Sequence, residues 1–298
     1  MFVSDNWQDF EIIDAHDGEK LERWGEFYLI RPDPQVVWKL HESDRSPLWN
    51  SANARYVRSS SGGGEWEFNR NSAKKLPKEW KVCYSGSGDL TYKIKPMGFK
   101  HTGLFPEQAT NWDWFSEIIR KSGRHDVKVL NLFAYTGGAT VAAATAGASV
   151  CHVDAARGMV EWAKENAAAS GLATHPIRYI VDDCVKFVAR EARRGNKYDG
   201  IIMDPPSYGR GPSGEIWKIE DELFPLVELC ADVLSDNPLF FLINSYTTGL
   251  SGAVTENILK LTLQPKYGGK ISADEVGLPI TNGGLYLPCG HSGRWELS

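Results

Sequence analysis

The sequence predicts an α/β protein with a largely parallel sheet, preceded by a smaller β-rich region. From residue 127 onward, short apolar runs alternate with longer segments of helical periodicity. Buried parallel strands are nearly continuous apolar runs, whereas the helices that connect them repeat every 3.6 residues. Before residue 100, Trp, Pro and Gly are frequent and the apolar pieces are short. We therefore expect a small β-rich N-terminal region over 1–100 and a main domain over 101–298.

The apolar and helical segments follow one another as repeated βαβ units do. The predicted strands are 127–133, 149–154, 177–181, 198–204 and 238–244. The predicted helices are 112–121, 140–148, 157–171, 185–195 and 217–235. Two further strands, 270–276 and 283–290, are expected to form an antiparallel hairpin. In the N-terminal region, only LTYKIK (90–95) alternates clearly with the two-residue period of a strand.

Composition and cysteine usage exclude several classes of protein. Hydrophobic residues make up 42% and charged residues 24%, as in ordinary globular proteins. The sequence contains neither a secretory signal pattern nor an apolar stretch of about 20 residues that could span a bilayer. Its five cysteines are scattered, without the paired spacing of a disulfide framework or a zinc site. We therefore expect a cytoplasmic protein with neither a membrane partner nor a bound metal. The sequence leaves the oligomeric state open.

Acidic side chains stand at the predicted carboxyl ends of three strands, where α/β sheets bind their ligands. Asp154 ends the second strand, Asp182 and Asp183 follow the third, and Asp204 ends the fourth. The first strand is instead followed by FAYTGG (133–138), whose two glycines permit a tight turn. An acid about 20 residues beyond such a turn is placed to accept hydrogen bonds from a ribose. The row of acids favours a ligand rich in hydroxyl and amino groups.

The same row separates two classes of cofactor. A dinucleotide site would need the pattern G-x-G-x-x-G at a helix N-terminus to hold a pyrophosphate. Here only Gly137 and Gly138 occur, with no third glycine in register. S-adenosylmethionine carries a ribose, an adenine amine and a cationic sulfonium, but no phosphate. The pattern therefore favours S-adenosylmethionine over a dinucleotide.

Four segments together resemble the class I S-adenosylmethionine-dependent methyltransferases. These are VLNLFAYTGGATVAAATAGA, VDAARGMVEWAKENAAASGL, IVDDCVKFV and YDGIIMDPPSYGRG. They are most similar to the group that contains the large-subunit ribosomal RNA cytosine-5 methyltransferases and the related guanine-N7 methyltransferase module. The resemblance covers roughly residues 103–245. It implies a Rossmann-like fold with a mostly parallel seven-stranded sheet and helices on both faces.

The resemblance also implies a set of residues that bind S-adenosylmethionine and its product, S-adenosylhomocysteine. Tyr135 to Gly138 would line the methionine end, Asp154 would bind the ribose and Asp183 the adenine amine. The segment GLFPEQATNW (103–112) is similar to one that folds over the cofactor in the family. The full expected set is Phe105, Gln108, Asn131, Phe133, Tyr135, Thr136, Gly137, Gly138, Asp154, Ala155, Arg157, Asp182, Asp183, Cys184 and Asp204.

One departure from the group bears on the chemistry. The cytosine-5 enzymes carry a nucleophilic Cys after the fifth strand, and Tyr246 stands at that position here. A phenol with a pKa of about 10 is a poor substitute for a thiol of about 8.5. Cys289, in the Gly-rich tail, is the alternative thiol, although burial as a small hydrophobe is the commoner role. The departure predicts that the substrate atom is already nucleophilic and needs no covalent Cys intermediate.

The motif DPPSY (204–208) loosely resembles the Asn/Asp-Pro-Pro-Tyr motif of amino methyltransferases, with one extra residue. By that analogy Asp204, Pro206 and Tyr208 are the expected catalytic residues, Tyr208 stacking on a planar base. The expected substrate is RNA, a ribosomal RNA base above all, and the basic run 70–81 is a candidate RNA contact. The net charge of −5 leaves two alternatives open. These are a methyltransferase of a small molecule or protein, and a cofactor-binding protein without catalysis.

Overall fold

The chain folds into two compact units in a computed structural model that describes residues 1–59, 63–210 and 216–297. The α/β unit comprises residues 1–2, 110–276 and 289–298, and the β unit comprises 3–109 and 277–288. The segment 277–288 therefore belongs to the same unit as the N-terminal hundred residues, although it lies far away in sequence. The functional division into 1–100 and 101–298 stays a prediction.

The strands and helices alternate along the second half of the chain as the sequence predicts. The strands are β1 (Phe2–Val3), β2 (Phe10–His16), β3 (Glu19–Trp24), β4 (Phe27–Pro32), β5 (Ala54–Arg58), β6 (Gly64–Phe68), β7 (Trp80–Tyr84), β8 (Leu90–Ile94), β9 (Lys128–Leu132), β10 (Ser149–Asp154), β11 (Ile177–Val181), β12 (Gly200–Met203), β13 (Tyr208–Arg210), β14 (Ile216–Lys218), β15 (Phe240–Ser245), β16 (Lys270–Ile280) and β17 (Leu285–Glu296). The α-helices are α1 (Ala109–Lys121), α2 (Gly138–Thr145), α3 (Arg157–Ala169), α4 (Cys184–Arg194), α5 (Ile219–Ala231), α6 (Gly252–Thr262) and α7 (Gln264–Tyr267). Short 3-10 turns lie at Glu42–Asp44, Pro47–Ser51, Pro106–Gln108 and Asn282–Gly284.

The sheet of the α/β unit has the strand order β11-β10-β9-β12-β15-β17-β16. Strands β9, β10, β11, β12 and β15 pair in parallel, and β17 runs antiparallel to β15. The order reverses between β9 and β12, which is the topological switch point where open α/β sheets bind ligands. The predicted mostly parallel seven-stranded sheet is confirmed.

Helices cover both faces of this sheet. On one face, Phe115 of α1 stacks on Phe240 with ring centroids 5.6 Å apart, and Ser116 of the same helix bonds to the Ala142 carbonyl of α2. On the other face, α4, α5 and α6 bury one apolar cluster against the strands. That cluster includes Leu130, Met203, Phe187, Leu226, Phe241, Ile243 and Leu259. Because alternate residues of a strand point to opposite faces, each strand contributes side chains to the packing on both faces of the sheet.

The β unit is built around the antiparallel strands β2 to β4, which β5 and β6 extend. A separate hairpin, β7–β8, contributes Val82, Tyr84, Leu90, Tyr92 and Ile94 to its core, all fully buried. The C-terminal end of β16 joins this unit, with Ile280 opposite Ile12 of β2. The β-rich character predicted for the N-terminal region is thus observed over more strands than the sequence indicated.

One helix of the α/β unit is shorter than the sequence predicts, and another helix is additional. The helix predicted over 217–235 begins at Ile219 and ends at Ala231, because residues 216–218 form strand β14 instead. Helix α6 (Gly252–Thr262) was not predicted at all. Gly249 and Gly252 lie at or near its first residue and favour a turn there, so the start of the helix is hard to recognise in the sequence. The apolar face of α6 packs into the apolar cluster beneath β15.

Candidate active site

The turn after β9 has a backbone that ordinary residues avoid. Phe133 and Tyr135 have φ values of +53° and +50°, and Gly137 follows at +82°. Among the described residues, Asp17 is the one other non-glycine residue with positive φ. Positive φ costs a bulky residue about 1 kcal/mol or more, so it persists only where surrounding contacts enforce it. Such strain is concentrated at functional sites.

Asp154, at the end of β10, supplies one of those contacts. Its Oδ2 accepts a hydrogen bond from the Tyr135 amide at 2.8 Å, and its Oδ1 accepts one from the Ala156 amide at 2.8 Å. Burial raises the pKa of this carboxyl above 3.8, and the two amide bonds oppose that rise. Asp154 therefore joins the turn after β9 to the start of α3 through a single half-buried carboxylate.

The two glycines of the turn permit close packing of three helices. A Cβ at Gly137 would lie 2.8 Å from the Ala163 Cβ of α3. A Cβ at Gly138 would lie 2.8 Å from the Trp112 ring of α1. Helix α2 therefore begins in contact with both neighbours, and a larger residue at either position would force a neighbouring residue to move.

A buried polar network supports the turn from below. Asn131, within β9, donates to Thr140 Oγ1 at 2.9 Å, and that hydroxyl lies 2.9 Å from His152 Nδ1. Burial lowers the pKa of His152 to about 3, so its ring is neutral. On the next helix, Asn166 donates to the Thr136 carbonyl at 2.8 Å. Asn131 and Thr136 are thus buried supports of the turn.

The third strand ends in acids that already have partners. Asp183 is the N-cap of α4, and its Oδ1 accepts from the Lys186 amide at 2.9 Å. Asp182 accepts from the Asp183 amide at 2.9 Å and forms an ion pair with Arg190. Cys184 is buried, and its Sγ accepts from the Phe133 amide at 3.3 Å. Cys184 therefore connects the third strand end to the first.

The fourth strand ends in an exposed segment. Asp204 is half-buried and Pro205 is buried, whereas Pro206 and Tyr208 face solvent, Tyr208 with 51% of its surface exposed. After Ser207 the chain enters the hairpin β13–β14, in which Tyr208 lies opposite Lys218. Gly211, the last residue of DPPSYGRG, lies outside the described residues. This exit presents side chains outward, unlike the turn after β9.

Trp217, on β14, was missed by the sequence analysis. Its indole donates to the Pro206 carbonyl at 2.6 Å, and its ring centroid lies 5.4 Å from that of Phe133. It therefore connects the exit from β12 with the turn after β9. In the sequence, Trp217 comes shortly after the turn-forming residues GPSGE. Helical periodicity makes it the first residue of the predicted helix 217–235, and this concealed its place on a strand.

A side-chain hydrogen bond joins the exits from β12 and β15. Ser207 Oγ lies 2.6 Å from Thr247 Oγ1, so the loop that carries Tyr208 is fixed to the loop that carries Tyr246. Tyr246 is 39% exposed. It packs against the chain at Gly290, where a Cβ would lie 3.1 Å from the Tyr246 ring. Two exposed tyrosines therefore follow neighbouring parallel strands.

The arrangement can bind a cationic, hydroxyl-bearing ligand beside a planar one. Carboxylates at the ends of β10, β11 and β12 converge on one edge of the sheet, next to a turn whose backbone lies close to α3. They suit ribose hydroxyls, an amine and a sulfonium charge. The exposed Tyr208 offers a flat apolar surface at the same edge. These residues fit S-adenosylmethionine better than a pyrophosphate cofactor, because carboxylates at the strand ends would repel the phosphates.

The family model for S-adenosylmethionine-dependent methyltransferases matches residues 65–229, more than half of the chain. The chain belongs to this family. Its structure is similar to that of an S-adenosylmethionine-dependent methyltransferase from Agrobacterium tumefaciens, with a TM-score of 0.91 and 34% identity. The match covers 99% of this chain and 93% of that one. The resemblance, the fold class, the enzyme class and the cofactor predicted from the motifs are confirmed.

Two more distant matches extend this result. An S-adenosylmethionine-dependent methyltransferase structure from Streptococcus mutans has the same fold, with a TM-score of 0.71 at 18% identity over 98% of this chain and 76% of that one. The ribosomal RNA large subunit methyltransferase K/L of Shewanella frigidimarina is 32% identical over 148 residues, 49% of this chain. The chain spans only 20% of the length of that relative.

The remaining expected site residues lie in several places. Ala155 and Arg157 are exposed at the start of α3, directly after Asp154. Phe105 and Gln108 belong to the β unit, where Phe105 precedes the Pro106–Gln108 turn and its ring contacts His101 with centroids 5.3 Å apart. Their contact with the cofactor stays a prediction, as does that of every residue in the expected set.

Three of the four cysteines of the α/β unit are poorly suited to nucleophilic attack. Burial raises the pKa of Cys151 to about 11 and raises those of Cys184 and Cys230 further. Cys289 is half-buried, and Cys83 is exposed in the β unit. Over the described ranges, no group of His, Cys, Asp and Glu could hold a metal, and no helix is long and apolar enough to cross a membrane.

Proposed function

We propose that the chain transfers the methyl group of S-adenosylmethionine to a base of RNA without a covalent Cys intermediate. The observation that carries the proposal is that two features follow strands of the same sheet edge: the strained turn held by the Asp154 carboxylate, and the exposed exit Asp-Pro-Pro-x-Tyr (204–208). The turn suits the methyl donor, and the exit suits a planar acceptor.

The donor end would be held by the strand ends described above. Asp154 has lone pairs left after accepting its two amide bonds, and these would bind the ribose hydroxyls. The backbone from Tyr135 to Gly138 would line the methionine end, and Asp183 would lie beside the adenine amine. When bound, the cofactor supplies a methyl group on a positively charged sulfur, whose departure as a neutral thioether is favourable.

The acceptor end would be formed by Asp204 and Tyr208. Tyr208 would stack on the base and orient its nitrogen, a contact worth about 1–3 kcal/mol. The Asp204 carboxylate and the carbonyl of Pro205 or Pro206 would accept hydrogen bonds from the target amine. The methyl–nitrogen bond forms as the carbon–sulfur bond breaks, and the proton lost from the amine passes to solvent. Positioning supplies most of the acceleration in such an in-line transfer.

The raised pKa values of three buried thiols support attack by the substrate nitrogen itself. Tyr246 occupies the position after β15 where the cytosine-5 enzymes carry their nucleophile. Burial holds the thiols of Cys151, Cys184 and Cys230 protonated at neutral pH. We therefore propose a base nitrogen as the methylated atom.

The choice of RNA is supported by the relatives, which are named as ribosomal RNA methyltransferases. The exposed basic side chains of the run 70–81 are a proposed RNA contact, and four of them are Arg70, Lys75, Lys78 and Lys81. A ribosomal substrate would place the chain in the cytoplasm. The net charge of −5 keeps a small-molecule or protein substrate as the competing reading.

Two measurements test the proposal. Titration calorimetry should show binding of S-adenosylhomocysteine, and the lack of any binding would contradict the cofactor site. Mass spectrometry of ribosomal RNA from a strain lacking the gene should show the loss of one methylated base. If every methylated nucleotide is retained, the RNA substrate is wrong and the small-molecule or protein reading gains support.

A further inference from the structure

One face of the β unit collects cations and aromatic side chains. Strands β3 and β4 place Lys20 directly opposite Arg31, and β5 and β6 place Tyr56 opposite Trp66. Since side chains alternate along a strand, Arg58 and Phe68 lie on the same face as Tyr56 and Trp66. The parallel pairing of Leu29 with Ala54 puts Arg31 on this face as well.

A tight turn, residues 97–101, lies on that face. Its ends are joined by a hydrogen bond from the Met97 amide to the His101 carbonyl at 3.2 Å. The Trp66 indole donates to the Met97 carbonyl at 2.8 Å, and Arg31 Nη1 donates to the Lys100 carbonyl at 3.0 Å. Bonds to two different strands therefore fix the turn, which is anchored rather than loosely attached.

The acids on this face neutralise only part of its positive charge. Glu22 is fully buried and binds Arg31 through two bonds, at 2.6 and 2.7 Å. Lys20 lies 3.4 Å from Glu22 and 3.1 Å from Asp33. Bridging acids of this kind allow two cations to stand opposite each other across a strand pair, which would otherwise be unfavourable.

Lys100 and Arg58 are left without such an acid. Within the described part of the chain, neither forms an ion pair with a carboxylate, and the Lys100 ammonium reaches only the Pro32 carbonyl, at 3.5 Å. Burial lowers the pKa of Lys100, and the charges of Lys20, Arg31 and Arg58 lower it further against the opposing effect of Asp33. An incoming anion would therefore gain the attraction of several cations at once.

Large apolar side chains are exposed on the same face and on its turn. Phe99, next to Lys100 in the turn, has 67% of its surface exposed, and Phe68 has 55% exposed. An isolated exposed aromatic needs no explanation, but two of them on one cationic face suit a ligand that alternates flat rings with negative charges. Single-stranded nucleic acid has that alternation, because its bases are unstacked and each nucleotide carries a phosphate.

We propose that this surface, formed by Arg58, Phe68, Phe99 and Lys100 and here called the 97–101 patch, binds single-stranded RNA. Arg58 and Lys100 bind backbone phosphates, and Phe99 stacks on a base. The patch is distinct from the basic run 70–81, where Lys74 pairs with Glu26. It rests on the proposed function only in taking RNA as the substrate. Lys100 lies five residues before Phe105, which the resemblance assigns to cofactor binding.

Fluorescence anisotropy with a labelled oligouridylate tests the patch on the full chain at several salt concentrations. The binding constant falls with rising salt, and for single strands each phosphate contact adds about 0.7 to the steepness of log K against log salt. Lys100→Gln should therefore make this negative slope shallower by about 0.7. Phe99→Ala should weaken binding by about fivefold or more and leave the slope unchanged. Lys39→Gln and Val37→Ala, at exposed positions elsewhere in the β unit, are the matched controls.

The outcomes separate the patch from the proposed function. Calorimetry with S-adenosylhomocysteine checks that each variant is folded. If both patch variants bind oligouridylate as the unmodified chain does, the patch is wrong, whatever the ribosomal RNA shows. If the oligouridylate annealed to its complement binds as tightly as the single strand, the stacking role of Phe99 is overturned. If the patch variants lose binding but no ribosomal nucleotide loses its methyl group in the deletion strain, the patch stands and the proposed ribosomal substrate fails.

Discussion

The turn after β9 and the exit from β12 lie side by side at one sheet edge, but they are built in opposite ways. The turn is fixed by its backbone: three residues with positive φ, two glycines against neighbouring helices and a carboxylate that accepts two amides. The exit has ordinary dihedral angles, two prolines and an exposed tyrosine. The backbone of the turn after β9 is closely constrained by its neighbours, whereas the exit from β12 exposes the Tyr208 side chain to solvent.

This difference matches the two partners of a group transfer. The methyl donor is the same molecule in every enzyme of the family, so its site can be fixed rigidly into the backbone. The acceptor differs from one enzyme to another, so its site is better carried by exposed side chains on a short loop. Changes to the turn should therefore impair donor binding and stability together, while changes to the exposed Tyr208 of the exit should impair turnover alone.

The largest expected effect comes from Gly137→Ala. The new Cβ would lie 2.8 Å from Ala163 at a φ of +82°, so it adds a steric clash to backbone strain. We expect the free energy of unfolding to fall by roughly 2–4 kcal/mol and S-adenosylhomocysteine binding to fall by more than about tenfold. Urea denaturation and calorimetry measure the two effects.

Gly171→Ala is the matched control for this substitution. Gly171 has a similar φ of +77°, but nothing lies within 4 Å of its Cβ position. Its substitution should cost only about 1 kcal/mol and leave ligand binding unchanged. Equal losses of stability in the two variants would show that the contact between α2 and α3 is not tight.

Asp154→Asn should have the next largest effect, on donor affinity. The amide can accept one of the two backbone bonds but turns an N–H group toward the other. We expect S-adenosylhomocysteine affinity to fall by about tenfold to 100-fold, as for lost hydrogen bonds to a charged group. Asp126→Asn, at the opposite end of β9 with 83% of its side chain exposed, is the control.

The pH dependence of binding provides a second readout of Asp154. Because burial raises its pKa above 3.8, acidification should protonate it earlier than an ordinary aspartate, and donor affinity should fall with it. The effect on the free energy of unfolding has the opposite sign to that of an acid in a salt bridge. Ionised Asp154 destabilises the fold above its folded pKa, and this destabilisation is relieved as the pH falls through that pKa. An identical pH profile in Asp154→Asn would exclude this carboxylate as the titrating group.

Tyr208→Ala addresses the exit and should reduce turnover on RNA without changing donor affinity. Loss of one stacked base corresponds to about 1–3 kcal/mol, or about fivefold to 150-fold in kcat/KM. Tyr208→Phe keeps the ring and should retain most of the activity. A variant that loses S-adenosylhomocysteine binding instead would place Tyr208 on the donor side.

Cys289→Ser should have the smallest effect, less than about twofold on turnover. A covalent nucleophile would lose activity by several orders of magnitude on this change. Methylation assays with the substrate RNA separate the two cases by a wide margin. A near-complete loss would show that the substrate is attacked by the Cys289 thiol, contrary to the proposed direct transfer.

The order of strands and helices from β9 to β15 could be predicted because each element carries its own periodicity. The acids at the strand ends could also be located, since a parallel sheet brings its carboxyl ends to one edge. The positive φ values of Phe133 and Tyr135 could not, because only glycine signals that conformation in a sequence. Trp217 was assigned to a helix, since its place on a hairpin depends on pairing with a segment several residues away.

The β unit was harder to predict for a related reason. Its strands are short, and the ion pair between Glu22 and Arg31 places charged residues where a periodic pattern would call for apolar ones. The 97–101 patch is likewise assembled from β5, β6 and a turn, and no stretch of sequence displays it. The basic run 70–81, by contrast, is visible in the sequence because its charges are clustered there, although clustering in sequence does not show where the side chains lie in the fold.

The contribution of residues 277–288 to the β unit has a consequence for biosynthesis. Strand β2 pairs with β3 along one edge, and Ile280 and Thr281 meet Ile12 on the other. Until residue 281 has left the ribosome, that second edge of β2 has no strand beside it. The β unit therefore stays incomplete while residues 110–276 are synthesised, and a nascent chain stalled before residue 277 would expose an unpaired edge prone to aggregation.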